Sequence, residues 1–229
     1  MGVRVKICGL STGDTLAAAL DAGADLVGFV HFPKSPRHLG WAEARALAAE
    51  VRGRAERVVL LVDPDDATLA AALESVAPDL IQLHGRESPE RVAAIRRFTG
   101  RPVMKALGIA ESADLARVAD YAAADRLLLD AKPPRGAALP GGNGLAFDWS
   151  LLAGTALPRG WMLSGGLRPG TVAEALARTG AMAVDVSSGV ETAPGVKDPA
   201  LIAAFVAAVR AGAAPEDAAP GLASAPREV

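Results

Sequence analysis

Cys8, the single cysteine of the 229-residue chain, closes the apolar run Val3-Arg-Val-Lys-Ile-Cys and stands directly before Gly9. A strand that delivers a thiol to the start of a loop places a nucleophile, or a base once ionised, where a ligand is met. The competing reading is a small buried hydrophobe, because free cysteine is among the most buried residue types. Asp130 closes Leu127-Leu-Leu-Asp in the same manner and offers a carboxyl group for acid or base work. Arg37 sits in the loop His31-Phe-Pro-Lys-Ser-Pro-Arg-His-Leu, stiffened by Pro33 and Pro36. Its planar fork suits a carboxylate or a phosphate, against the plainer reading of an exposed loop charge.

Two glycine-bearing segments suggest an anion seat. Met162-Leu-Ser-Gly-Gly-Leu-Arg-Pro-Gly-Thr-Val runs from a strand through Gly165 and Gly166 into a helix. Val184-Asp-Val-Ser-Ser-Gly-Val-Glu repeats the logic one strand later with Ser187, Ser188 and Gly189. Glycines let the backbone approach an anion, and helix N-termini supply free N–H groups. The stretch Pro140-Gly-Gly-Asn-Gly after Asp130 reads as a mobile lid or as a plain flexible connection.

Alternate residues of a strand share a face, so Arg4, Lys6 and Cys8 face one way and Val3, Val5 and Ile7 the other. A strand covered on both sides should be apolar on both, and Lys6 breaks that rule. Gln82 with His84, Lys105, Asp130, and Asp185 two before Ser187 break it on four further strands. Any one of these could be a structural ion pair, with Lys6 or Lys105 balancing Asp185 or another carboxylate, and His84 could be a satisfied core histidine. A set drawn from five strands points to a shared polar cavity.

The elements that position these residues alternate along the whole chain. Strands are expected at 3–8, 26–30, 58–62, 80–83, 102–107, 126–130, 161–164 and 183–186, with helices at 14–22, 41–51, 65–76, 89–98, 112–121, 171–179 and 199–211. Ser88-Pro89 and Asp198-Pro199 each put a capping side chain before a proline suited to the first helical position. The sixth crossover is weak, with only 148–152 after a long loop. About eight strand-and-helix units in roughly 210 residues give an α/β fold of the TIM (βα)8 barrel type, parallel-stranded and single-domain. An open doubly wound sheet is the rival, but no G-x-G-x-x-G follows the first strand. The barrel is assigned to residues 1–211, and residues 212–229, rich in Ala and Pro without periodicity, read as a disordered tail. In such a barrel, phosphate is bound by the loops after strands seven and eight, where the two glycine segments fall.

A net charge of −2, from 24 basic and 26 acidic residues in no long block, argues against nucleic acid or a membrane surface as partner. No signal-like or spanning apolar stretch is evident, and a lone cysteine suits a reducing cytoplasm. Whether the chain is a monomer or a homodimer stays open.

Taken in order, Lys6-Ile-Cys-Gly-Leu, Gly28-Phe-Val to Ser35-Pro-Arg, Gln82-Leu-His-Gly, Leu129-Asp, Gly141-Gly-Asn-Gly with Phe147-Asp-Trp, Ser164-Gly-Gly-Leu and Asp185-Val-Ser-Ser-Gly-Val-Glu resemble the phosphoribosylanthranilate isomerases. The resemblance spans residues 6–198. It implies an Amadori rearrangement of a phosphoribosylated anthranilate, with a small phosphosugar as substrate and neither cofactor nor metal. By motif match, Asp130 acts as general acid on the furanose ring oxygen and Cys8 takes the proton from sugar C2. Arg37 holds the anthranilate carboxylate, the backbone around Gly165, Gly166, Ser187, Ser188 and Gly189 holds the phosphate, and His84 and Asp185 line the site. Lys6 is expected to favour the Cys8 thiolate, and desolvation beneath substrate to keep Asp130 protonated. Another phosphosugar barrel, or a non-catalytic phospho-ligand sensor, is the alternative. The chain departs from the family pattern at His31, where an aromatic is common, and at Leu145, where lysine is frequent.

Overall fold

The computed structural model describes residues 2–134, 136–137, 139–142 and 144–212. Eight parallel strands close into a barrel in sequence order: β1 (Arg4–Cys8), β2 (Leu26–His31), β3 (Glu56–Leu61), β4 (Leu80–Leu83), β5 (Val103–Ile109), β6 (Arg126–Ala131), β7 (Met162–Leu163) and β8 (Ala183–Val186). The seam is the β1–β8 pair, in register with Lys6 opposite Asp185. Outside lie α1 (Gly13–Asp21), α2 (Trp41–Val51), α3 (Asp66–Val76), α4 (Pro89–Thr99), α5 (Val172–Thr179) and α6 (Pro199–Gly212).

The helices form where the apolar spacing predicts them. In α2, Ala44, Leu47, Ala48 and Val51 recur at three- and four-residue steps and are the buried residues of that helix. Side chains of Thr12, Asp65 and Ser88 accept N–H groups at the starts of α1, α3 and α4, and Asp198 accepts the Ala200 N–H at 2.7 Å in α6. Two crossovers are weaker than α-helices. Residues Ser112–Tyr121 form a 3-10 helix that buries only Tyr121, too little apolar surface to stabilise a full helix against the barrel. The sixth crossover is a single 3-10 turn at Trp149–Leu152.

An unexpected hairpin follows β8. A 3-10 turn at Ser188–Val190 leads into β9 (Glu191–Ala193), which pairs antiparallel with β10 (Val196–Lys197) before α6 begins. The hairpin is short and polar, so no periodic pattern marks it. The expected disorder of the tail lies, from residue 213 onward, outside the described residues, as does Asn143 of the loop after β6.

Inside the barrel the side chains form layers. At the N-terminal end, Glu56 receives Arg4 at 2.8 Å and Arg126 at 2.9 Å, a plug of three charges from β1, β3 and β6. Above it Leu26, Val58, Leu80, Met104, Leu128, Met162 and Ala183 pack as one buried cluster. Polar residues take over only beyond that layer.

Lys105 does not join them. Met104 and Ala106 belong to the interior cluster, so Lys105 between them faces the helical layer, where its ammonium meets Glu87 at 2.6 Å and the Gly85 carbonyl at 2.7 Å. Its membership of the shared cavity is therefore corrected: it is the structural ion pair of the alternative reading. The pair is buried, with side-chain exposures of 2% and 1%. Removing one partner leaves an uncompensated charge, so Glu87→Ala should destabilise the fold by about 3 to 5 kcal/mol. Urea denaturation midpoints measure this, and a change below about 1 kcal/mol would show that the pair is not a buried staple.

Candidate functional site

The strands release their C-terminal residues into one cavity. Cys8, Arg37, His84, Asp130, Gly165, Gly166, Asp185, Ser187, Ser188 and Gly189 all line it, together with Gln82 and Ser164. Lys6 lies beneath the floor, wholly buried. The face-sharing argument thus brings together every expected polar residue except Lys105.

The floor is an ion pair. Lys6 Nζ donates to Asp185 Oδ1 at 2.7 Å across the seam, and Ser164 Oγ donates to Asp185 Oδ2 at 3.2 Å. Burial opposes the Lys6 charge, but the Asp185 carboxylate and the Cys8 sulfur together outweigh it and hold Lys6 above the usual lysine range. Cys8 stands over this pair on β1. Burial pushes its thiol up; the Lys6 ammonium pulls down, Asp185 pushes up again, and the net direction is upward. Lys6 thus draws the thiol toward the thiolate, but desolvation dominates.

Three strands away around the barrel from β1, Asp130 is the last residue but one of β6, with Oδ1 accepting the Ala131 N–H at 2.8 Å. Oδ2 faces His84 Nε2 at 3.4 Å. Gln82 Nε2 donates to His84 Nδ1 at 3.0 Å, so the imidazole carries its proton on Nε2, toward Asp130. Gln82 Oε1 is buried with no hydrogen-bond partner among the described residues. The loop after β6 lies directly on this pair: a Cβ added at Gly141 would stand 2.8 Å from Asp130 Oδ2, which explains why that position carries no side chain.

The two glycine loops abut, with Gly189 against the Leu167 carbonyl. Gly165 and Gly166 adopt φ of 87° and 66°, a left-handed backbone that side chains strain to reach. The loops together present a concave wall of backbone with Ser188 beside it, suited to a phosphate, while the Ser187 hydroxyl donates to the Cys8 carbonyl at 3.1 Å.

Arg37, in the loop after β2, is buried at the rim two strands from β8, and its fork is already half used. Nε donates to Glu191 Oε1 at 2.7 Å and Nη2 to Glu191 Oε2 at 2.8 Å, with a further contact from Nη2 to the Gly142 carbonyl at 3.3 Å. Lys197 Nζ meets the same Glu191 Oε1 at 2.5 Å. Burial opposes the Glu191 charge, but Arg37 and Lys197 hold its carboxyl down at about 2. Burial lowers the Lys197 ammonium, only partly offset by Glu191. Sequence reasoning quoted Glu191 within a motif without giving it a role and passed over Lys197 altogether. Their signal was slight: a lone acid and a lone base flanking Pro194 and Gly195.

The family model for N-(5'phosphoribosyl)anthranilate (PRA) isomerase matches residues 5–208. N-(5'-phosphoribosyl)anthranilate isomerase of Azorhizobium caulinodans is 66% identical over 215 residues, covering 93% of this chain and 94% of that protein. A monomeric form of the dimeric phosphoribosylanthranilate isomerase of Thermotoga maritima superposes with a TM-score of 0.79 at 34% identity, over 91% of this chain and 99% of that one. A phosphoribosylanthranilate isomerase solved with reduced 1-(o-carboxyphenylamino)-1-deoxyribulose 5-phosphate superposes at 0.78 and 34% identity, with the same coverage. The chain belongs to the phosphoribosylanthranilate isomerase family, on a TIM barrel.

Proposed function

We propose that this chain rearranges N-(5-phosphoribosyl)anthranilate to 1-(2-carboxyphenylamino)-1-deoxyribulose 5-phosphate, the isomerisation of its family in tryptophan biosynthesis, with Asp130 as general acid and Cys8 as general base. The observation that carries this reading is the meeting of a thiol and a carboxyl group at the mouth of one cavity, between an arginine clamp and a pair of glycine loops.

Asp130 gives its proton to the furanose ring oxygen. The C1–O bond breaks, the anilino nitrogen supplies its electron pair, and a protonated Schiff base results. Cys8 then takes the proton from C2, and the electrons of that C–H bond neutralise the nitrogen to leave an enolamine that relaxes to the ketone. Both steps are proton transfers, so the scheme calls for neither cofactor nor metal. It requires the proton on Asp130 and off Cys8 at the moment of reaction. Lys6, fixed on Asp185 beneath the thiol, supplies positive charge where the thiolate forms. His84 presents Nε2–H to Asp130 and keeps the carboxyl group oriented.

For binding, Glu191 takes the Nε edge of Arg37 and the Gly142 carbonyl the second Nη2 hydrogen, which leaves Nη1 to face the anthranilate carboxylate. The backbone around Gly165, Gly166, Ser187, Ser188 and Gly189 takes the phosphate, with Asp185 at the floor. A small phosphosugar is the expected partner, rather than nucleic acid. Among the described residues no helix is long and apolar enough to cross a membrane. We infer a cytoplasmic location from the lone cysteine, and a monomer or homodimer, the Thermotoga maritima relative being dimeric. We also assign residues 1–211 to one catalytic domain and 212–229 to an appended tail.

Cys8→Ala and Asp130→Asn should each lower kcat by about a hundredfold or more, while Arg37→Ala should act mainly by raising KM. Loss of anthranilate fluorescence from freshly made substrate follows all three, and near-normal turnover in either of the first two variants would overturn the assignment. Because Lys6 lowers the Cys8 thiol and Asp185 raises it, Lys6→Met should move the ascending limb of the pH–rate profile to higher pH. A limb that stays in place would remove Lys6 from the chemistry.

A further inference from the structure

We infer that Glu191 and Lys197 form a positioning brace that ties the carboxylate clamp to the phosphate loop and fixes the span across which substrate is held. The inference rests on the isomerase reading above and gives a role to two residues that neither the reaction scheme nor the binding groups call upon.

The bonds run in an unbroken series. Arg37 donates twice to Glu191; Glu191 Oε1 also accepts Lys197 Nζ, and its Oε2 accepts the Gly195 N–H at 3.2 Å. The same ammonium donates to the Ser187 carbonyl at 2.9 Å and to Ser187 Oγ at 3.2 Å. Ser187 Oγ in turn donates to the Cys8 carbonyl at 3.1 Å. One buried chain of polar contacts therefore joins the loop after β2, the β9–β10 hairpin, the loop after β8 and the end of β1. Side-chain exposures of 6%, 4% and 1% for Arg37, Glu191 and Lys197 keep water from replacing these bonds.

The arrangement makes physical sense for a substrate charged at both ends. A phosphate and an aryl carboxylate are gripped by different loops, and loops move more readily than strands. Holding reacting atoms in a near-attack geometry depends on the distance between the grips, and an error of 1 Å costs about a hundredfold. Glu191 selects one rotamer of Arg37 by engaging the Nε edge, while Lys197 anchors that selection on Ser187.

At Glu191 charge alone predicts the reverse of positioning, which makes the two separable there; at Lys197 both predict weaker anion binding, and the fall in kcat is the readout of positioning. Removing the Glu191 charge would, by electrostatics, tighten the hold on an anion; releasing Arg37 from its rotamer would weaken it. The test uses the full chain as Glu191→Gln and Lys197→Met, with Lys197→Gln as the second variant should Lys197→Met fail to fold. Calorimetry gives Kd for inorganic phosphate and for reduced 1-(o-carboxyphenylamino)-1-deoxyribulose 5-phosphate, and steady-state assays give kcat and KM. In Glu191→Gln the analogue should bind about tenfold more weakly with phosphate Kd unchanged. In the Lys197 variants both ligands should weaken and kcat should fall about tenfold, because Ser187 and Cys8 lose their anchor. Tighter analogue binding in Glu191→Gln, or unchanged constants in the Lys197 variants, would overturn the brace while normal wild-type turnover leaves the isomerase reading standing. A wild-type chain that binds neither ligand would overturn both.

Discussion

The Lys6–Asp185 pair is the contact on which the site stands. It joins the first and last strands at the seam where the barrel closes, and its exposures are 0% and 6%. Each ion costs several kcal/mol to strip of water, so the pair persists only because geometry and added hydrogen bonds offset the loss. Direct apposition of the two residues in the ladder, a 2.7 Å contact and the Ser164 hydroxyl on the second carboxylate oxygen meet that condition. Hydrocarbon at this level would close the barrel just as well. With a buried cation and anion here instead, the interior changes from apolar below to polar above, and the thiol of Cys8 stands at the boundary.

Most of this was legible in the chain itself, for a definite reason. Strand parity is rigid, so a polar side chain that breaks an apolar run is a strong signal, and Lys6, Gln82, His84, Asp130 and Asp185 each give one. The same rule misplaced Lys105 because parity says which residues share a face without saying which face is inside. In a barrel sheathed by helices both faces are apolar, and only contacts made far along the chain, here with Glu87, decide the matter. The β9–β10 hairpin escaped notice for a related cause. A strand of two residues has no period, and the partners of Glu191 and Lys197 lie at residues 37 and 187, beyond any local pattern.

Charge serves different purposes at the two ends of the barrel interior. The Arg4–Glu56–Arg126 plug closes the N-terminal mouth with charge that is partly open to solvent, and nothing there approaches the cavity. At the other end the loops are stitched to one another and to the strand ends: Gly141 over Asp130, Gly189 on the Leu167 carbonyl, Arg37 into the hairpin. The barrel supplies rigid points of departure, and contacts between loops turn them into a shaped cavity.

The burial of Cys8 has a consequence outside proton transfer. A thiol reacts with peroxides and alkylating agents as its thiolate, and a raised pKa together with 3% exposure keeps that species scarce while the cavity is empty. With no second cysteine in the chain to trap a sulfenic acid as a disulfide, further oxidation would run on to the irreversible sulfinic acid. The same desolvation that makes Cys8 a reluctant base at rest is thus its defence against chemical ageing.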